Sequence, residues 1–220
     1  MNNTSSQPSR LGSLPVDDFL TALASDQPAP GSGSAAALAG AMGCALVTMV
    51  AGLTVGRQRY APVQQELIGL RDQAVALQHN LIDMLEVDAA AYNRVMAAYR
   101  LPKESPHQRD HRSAAIQDAL RGAIDVPLDI AAACVDVVGL AGQVAAQGNR
   151  NAACDAACAA LLADAGLQSA ARNIRFNLQG LSDAHFCDAA DLRVAQLLTA
   201  GQAALAEALA AADAAASVGD

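Results

Sequence analysis

Asp88 stands where a regular helix would place an apolar side chain. An apolar stripe steps by three and four through Leu67, Leu70, Ala74, Leu77, Leu81 and Met84, reaches Asp88, and resumes at Ala91 and Val95. That period marks one face of a helix. A carboxylate on such a face loses water and its pKa rises. It can then take and give a proton near neutral pH. The plainer alternatives pair it with a buried arginine or turn the stripe out to solvent. Asp83 and Glu86 lie off the stripe and read as solvated charges.

Other groups carry weaker signals. PAPGSGSAAA is a glycine-rich loop entering a helix, with Pro30, Gly31, Ser32, Gly33 and Ser34 at the junction. Such a start presents free N–H groups and the positive end of the helix dipole, and it suits a carboxylate or the polar edge of a heterocycle. No Gly-Lys-Ser/Thr follows, so it is not a phosphate-binding Walker loop. The alternative is a tight turn that allows close helix packing. Lys103 is the only lysine among fourteen basic residues. A chain that otherwise uses arginine can keep lysine where a compact ammonium is needed, or simply as a solvated loop charge. Asn173 and Asn177 lie one helical turn apart beside Ile174 and Leu178, where amides need partners. Asp155 shares a face with Leu162 and is equally ambiguous. Arg57 and Arg59 can hold an anion or complement a helix C-terminus.

No metal site is expected. His107 and His111 are four apart, as are Cys154 and Cys158, but neither pair has a third ligand nearby. No Gly-x-Ser-x-Gly elbow and no GxGxxG motif is present.

These residues must be held by helices. Aromatics are 3% of the chain and tryptophan is absent, while alanine, leucine and valine supply most of the 53% hydrophobic content. Alanine favours helix, and the β-branched and aromatic runs that strands need are scarce. The fold class expected is all-α, a multihelical bundle in one domain over 13–220 behind a disordered leader at 1–12. Helices are expected from about Pro15 to Ser25, Ser34 to Gly56, Pro62 to Tyr99, and through HRSAAIQDALRGAID to Pro127. There a helix kinks or a new one begins and runs to Gly148-Asn149. A further helix bends near Gly166 and reaches Gly180. The last, capped by Ser182 or Asp183, runs from Ala184 to about Ala216.

No charge occurs between Asp26 and Arg57, a span long enough to cross a bilayer. Its prolines, its alanine and glycine content and the lack of a second such segment favour a buried central helix over a membrane span. Gly40, Gly43, Ala45 and Gly52 would let neighbours approach it closely. A net charge of −8 argues against nucleic acid as a partner. Five cysteines, an odd number, and a start, MNNTSSQPSR, without an apolar core read as reduced thiols in a cytoplasm.

PAPGSGSAAALAGAMGCALVTMVAGLTVGR resembles the proline-x-proline-glycine-glycine-glycine-serine opening of the family shared by methenyltetrahydrofolate cyclohydrolases and the cyclodeaminase domain of formiminotransferase-cyclodeaminase. The resemblance continues through Asp88-Ala-Ala-Ala-Tyr92, Leu101-Pro102-Lys103, Val126-Pro127-Leu128, Gly148-Asn149, Asp155 and the Asn173 to Asn177 helix, covering roughly residues 14–215. It implies a helical homodimer, a folate site and a catalytic aspartate, carried onto Asp88. On that footing Lys103 would stabilise an oxyanion or orient Asp88. The opening loop, Tyr92, Asn149, Asp155, Asn173 and Asn177 would bind substrate, the amides and Asp155 facing the pterin and Arg57 and Arg59 holding the glutamate tail. Two departures stand out. Ser32 replaces the middle glycine of the loop, which raises the question of a positive φ there. Cys154 stands where serine is usual before the aspartate.

The implied reaction is hydrolysis of 5,10-methenyltetrahydrofolate to 10-formyltetrahydrofolate, with no metal or redox cofactor. The alternative is cyclodeamination of the formimino compound. These 220 residues contain no formiminotransferase domain, so hydrolysis is the expected activity. A reading of another class is a non-catalytic dimerisation module; it expects Asp88 in a salt bridge and no cleft.

Overall fold

The computed structural model describes residues 10–217, and all regular structure among them is helical. Six α-helices follow one another: α1 (Val16–Leu23), α2 (Ser32–Thr54), α3 (Gln64–Tyr99), α4 (Pro106–Gln147), α5 (Ala153–Leu178) and α6 (Ala184–Ser217). Short 3-10 turns lie at Leu11–Ser13, Gln58–Val63 and Arg150–Ala152. The helix starts are chemically marked. Ser105 and Gln108 form a reciprocal capping box with Pro106 in the first turn of α4. Asp183 Oδ1 accepts the Phe186 N–H at 3.1 Å at the start of α6.

α2 packs between α3 and α5 and also touches α4, and α6 covers α4 and α5. α3 and α5 run antiparallel to α2, and α4 runs parallel to it, with Cys134 beside Gly40 and Val137 beside Gly43. Leu81 of α3 meets Gly40 and Asp88 meets Gly33, whereas Gly166 of α5 meets Ala36 and Ala159 meets Gly43. Three glycines make these approaches possible. A Cβ on Gly40 would lie 2.9 Å from Cys134 Sγ, one on Gly43 2.9 Å from the Ala159 carbonyl, and one on Gly166 2.8 Å from the Ala36 carbonyl. Gly166 is therefore a close crossing inside a continuous α5. Ala45 and Gly52 do not serve this purpose: Ala45 is exposed and a Cβ on Gly52 would meet nothing within 4 Å.

Four further expectations are corrected or narrowed. Residues 1–9 lie outside the described residues, but 10–12 are placed: Arg10 pairs with Asp83 and the Leu11 N–H donates to Glu86. Pro127 does not begin a new helix, because α4 runs through it unbroken. α2 begins two residues early, with Ser32 and Gly33 already helical. Among the described residues only Gly56 has positive φ, so serine at position 32 needs no unusual backbone. Finally, α2 is not the only long apolar helix, since α6 also has the length and composition to cross a bilayer. Alanine scores as apolar without demanding burial, and most of that stretch of α6 is exposed. α2 itself buries twelve of its residues and leaves Met42, Met49 and Leu53 exposed.

Candidate active site

The N-terminus of α2 meets the middle of α3 and the C-terminal half of α5, and a cavity of about 530 Å³ opens there. Its floor is the Gly31–Gly33 turn and Asp88; its walls carry Tyr92, Met96 and Tyr99 from α3, Leu120 and Ala123 from α4, and Asn173, Phe176 and Asn177 from α5. Pro30, after a cis peptide bond, is buried beneath the turn.

Asp88 is half-buried and presses on the first turn of α2. Ser34 Oγ lies 3.0 Å from Asp88 Oδ2 and 3.1 Å from the Leu85 carbonyl oxygen. Burial pushes the Asp88 pKa above the ordinary carboxylate value, and hydrogen bonds from the Ser34 hydroxyl and N–H pull against that rise. Among the described residues no basic side chain forms a salt bridge with it. A desolvated carboxylate without a cation suits proton transfer and the stabilisation of a cationic ligand.

The paired amides are oriented from α4. Pro127 has no N–H, so the Ala123 carbonyl four residues earlier lacks its usual helical donor. Asn177 Nδ2 supplies one at 3.0 Å and also donates to Asn173 Oδ1 at 2.8 Å. Asn173 Nδ2 in turn donates to Ser32 Oγ at 3.3 Å. A chain of amides thus runs from a proline-made gap in α4 to the first turn of α2 at the cavity floor.

The rim is aromatic. The Arg112 guanidinium donates to the Tyr99 carbonyl at 3.0 Å and 3.2 Å and lies 5.6 Å from its ring centroid. Phe176 is 74% exposed, an apolar area left for a ligand to cover. Sequence reasoning missed Met96, Tyr99 and Phe176. The signal was present: Tyr92, Met96 and Tyr99 follow Asp88 at helical spacing, and Phe176 lies between the two asparagines.

Five proposed site residues are not brought to this cavity. Lys103 lies in the exposed loop beyond Tyr99, its N–H donating to Glu104 and its carbonyl accepting from Arg109. Arg57 and Arg59 are exposed past the far end of α2, about 33 Å from Ser32 at 1.5 Å per residue. Asn149 is there too. Its N–H donates to Thr54 Oγ1 at 2.8 Å and its side chain caps the Arg150–Ala152 turn, so it is a corner residue between helices. Asp155, in the first turn of α5, belongs to the same far end, as does the exposed Cys154. The chain thus has two poles, and one small molecule does not span them within a single protomer.

The sequence profile described as formiminotransferase-cyclodeaminase matches residues 15–196. A methenyltetrahydrofolate cyclohydrolase of Methylorubrum extorquens is 44% identical over 177 residues, covering 80% of this chain and 85% of that protein. The formimidoyltransferase-cyclodeaminase of Sus scrofa is 32% identical over 184 residues, 84% of this chain but 34% of that protein. The chain therefore spans about a third of the length of those bifunctional relatives. The crystal structure of formiminotetrahydrofolate cyclodeaminase from Thermotoga maritima superposes with a TM-score of 0.83 at 27% identity, covering 92% of this chain and 97% of that one. With a match over most of its length in sequence and in fold, the chain belongs to the formiminotransferase-cyclodeaminase family.

Proposed function

We propose that this protein hydrolyses 5,10-methenyltetrahydrofolate to 10-formyltetrahydrofolate, with Asp88 as base and then acid. The observation that carries the reading is the desolvated Asp88 carboxylate, without a cation, in a cavity of about 530 Å³, within the range of small-molecule sites. The substrate is a delocalised cation, which the carboxylate attracts. Asp88 takes a proton from the attacking water as oxygen bonds to the one-carbon bridge. It returns a proton to N5 as the bond from that carbon to N5 breaks, and the carbinol O–H releases its own proton to solvent as the formyl C=O forms, so one proton is produced per turnover. The chemistry asks for no metal or redox cofactor. Asn173, Asn177 and the Gly31–Ser34 turn offer polar contacts for the pterin, and Tyr92, Tyr99 and Phe176 offer flat apolar ones. Lys103 is kept as a candidate for the developing oxyanion.

Cyclodeamination is the second reading, favoured by the family profile and by the Thermotoga relative. There N10 closes on the formimino carbon, ammonia leaves, and Asp88 protonates the departing nitrogen. The dimerisation module without catalysis expects a salt-bridged Asp88 and no cleft; neither is found among the described residues. Loss of methenyltetrahydrofolate absorbance, measured beside ammonia release from the formimino compound, separates the two reactions. Protein-dependent loss without ammonia supports the first; ammonia release without accelerated hydrolysis refutes it.

The active species in this reading is a cytoplasmic homodimer. Its support is the uncharged exposed face formed by Met42, Met49 and Leu53 of α2, with Leu161 exposed on the neighbouring α5. Light scattering at micromolar concentration should give about twice the chain mass of 22.4 kDa; a fully active monomer refutes the assembly.

A further inference from the structure

Ser34 is wholly buried, and its hydroxyl has two neighbours that both accept. The Leu85 carbonyl oxygen lies at 3.1 Å and Asp88 Oδ2 at 3.0 Å. A serine carries one O–H proton, so it donates to one neighbour at a time. The ionised carboxylate is the stronger acceptor and takes that proton. Once Asp88 is protonated on Oδ2 the order inverts: Asp88 donates to Ser34 Oγ, and the serine proton turns to Leu85. The Leu85 carbonyl has a second lone pair free for this bond. Both protonation states therefore leave the hydroxyl and the carboxyl satisfied without moving a heavy atom.

We infer that Ser34 is a positioning residue whose hydroxyl proton switches acceptor, from Asp88 to the Leu85 carbonyl, each time Asp88 takes up a proton. The inference rests on the reading of Asp88 as base and acid. The serine proton never leaves Ser34. The proton that moves comes from the attacking water to Asp88 and goes on to N5 as the carbon–N5 bond breaks. The switch lowers the reorganisation needed at each transfer, because both states share one heavy-atom geometry. Few other groups intrude. α2 is uncharged from Ser32 to Thr54. Tyr92 and Tyr99 are the other titratable groups on the cavity wall; α4 contributes Leu120 and Ala123 there, and α5 contributes neutral amides and Phe176. Glu86 on α3 is engaged by the Leu11 N–H.

Carbon-13 NMR of the whole protein tests the switch without reference to activity, with the Asp88 carboxyl signal assigned by its loss in Asp88→Asn. In Ser34→Ala the Asp88 midpoint should move up by about one to two pH units, as expected when a carboxylate loses a charge-assisted hydrogen bond. Ser34→Cys, a weak donor of similar size, should fall between, and it carries the test if the alanine variant does not fold. In wild type the Leu85 carbonyl carbon should titrate with the Asp88 midpoint, and that response should vanish in Ser34→Ala. An unmoved Asp88 midpoint, or a Leu85 carbonyl indifferent to pH, overturns the switch. The acid limb of kcat/KM should shift with the midpoint. A moved midpoint beside an unmoved limb supports the switch and overturns the role of Asp88 in the reaction.

Discussion

Gly33→Ala asks whether the position of Asp88, and not only its charge, sets the rate. A Cβ at Gly33 would lie 1.9 Å from Asp88 Oδ1, 2.4 Å from Cγ and 2.7 Å from Oδ2. Ordinary contact begins near about 3.5 Å, so the carboxylate must withdraw by about 1.5 Å. It then loses the 3.0 Å bond to Ser34 and its place on the cavity floor. A misplacement of about 1 Å can cost about a hundredfold in rate. Turnover should therefore drop by at least about that factor. Folding should survive, because Gly33 is already helical and alanine is favoured over glycine there by up to about 1 kcal/mol. Gly52→Ala is the matched control: the same helix, the same added methyl, and nothing within 4 Å to meet it. It should raise the melting temperature slightly and leave turnover alone. The assay is methenyltetrahydrofolate absorbance at saturating substrate, with a thermal melt of each variant. A folded Gly33→Ala protein turning over within a few-fold of wild type would refute the reasoning.

Asp88→Asn should lose activity by about a hundredfold or more, as loss of a general base does; wild-type-like turnover ends that role. The same variant has a signature in melts taken across pH. The unfolded chain releases this proton near pH 3.9 and the folded chain holds it to higher pH, so Asp88 costs stability as pH rises through that window and continues to do so above it. The variant should match wild type in acid and equal or exceed it at neutral pH, and a lower melting temperature at pH 7 would contradict this. Lys103→Arg should cut turnover with folding untouched if its ammonium reaches the reacting centre, and a silent swap removes it from the site. Arg57→Ala and Arg59→Ala should leave the Michaelis constant and its salt dependence unchanged, since both lie at the far pole; a raised constant would show that the substrate tail reaches them. Asn177→Ala should destabilise by about 1–3 kcal/mol by stranding the Ala123 carbonyl, and adding Pro127→Ala should recover part of that by restoring a helical donor. Additive losses in the double variant would argue against that link.

The helical class and the place of Asp88 were legible because both are written in local periodicity. The stripe from Leu67 to Val95 says where the helix faces and which residue breaks the pattern. The grouping of site residues was less legible, because resemblance assigns residues to one site without saying which end of a bundle they occupy. Arg57 follows the end of α2 and Asn149 follows the end of α4, which runs parallel to α2, so both are carried away from Asp88. Pro127 was left between two readings for a related reason. A proline breaks a helix when its missing bond goes unanswered, and here the answer comes from Asn177, fifty residues further on. The close crossing at Gly166 was likewise not legible, because its packing partners, Ala36 and Gly40, lie far back in the chain.

Among the described residues half of the buried apolar side chains are alanine, 23 of 46. Alanine has no side-chain torsion to lose, so ordering this core costs no rotamer entropy at those positions. It also has nothing to swing aside. A cavity whose base rests on such a core cannot widen by repacking; it keeps the outline that the helix backbones give it. Whatever adjustment a ligand requires falls to Tyr92, Met96, Tyr99 and Phe176, the long side chains at the rim. Recognition here should thus divide between a floor that admits one shape and an edge that can accommodate several, and a variant with altered substrate preference should carry its changes at the edge.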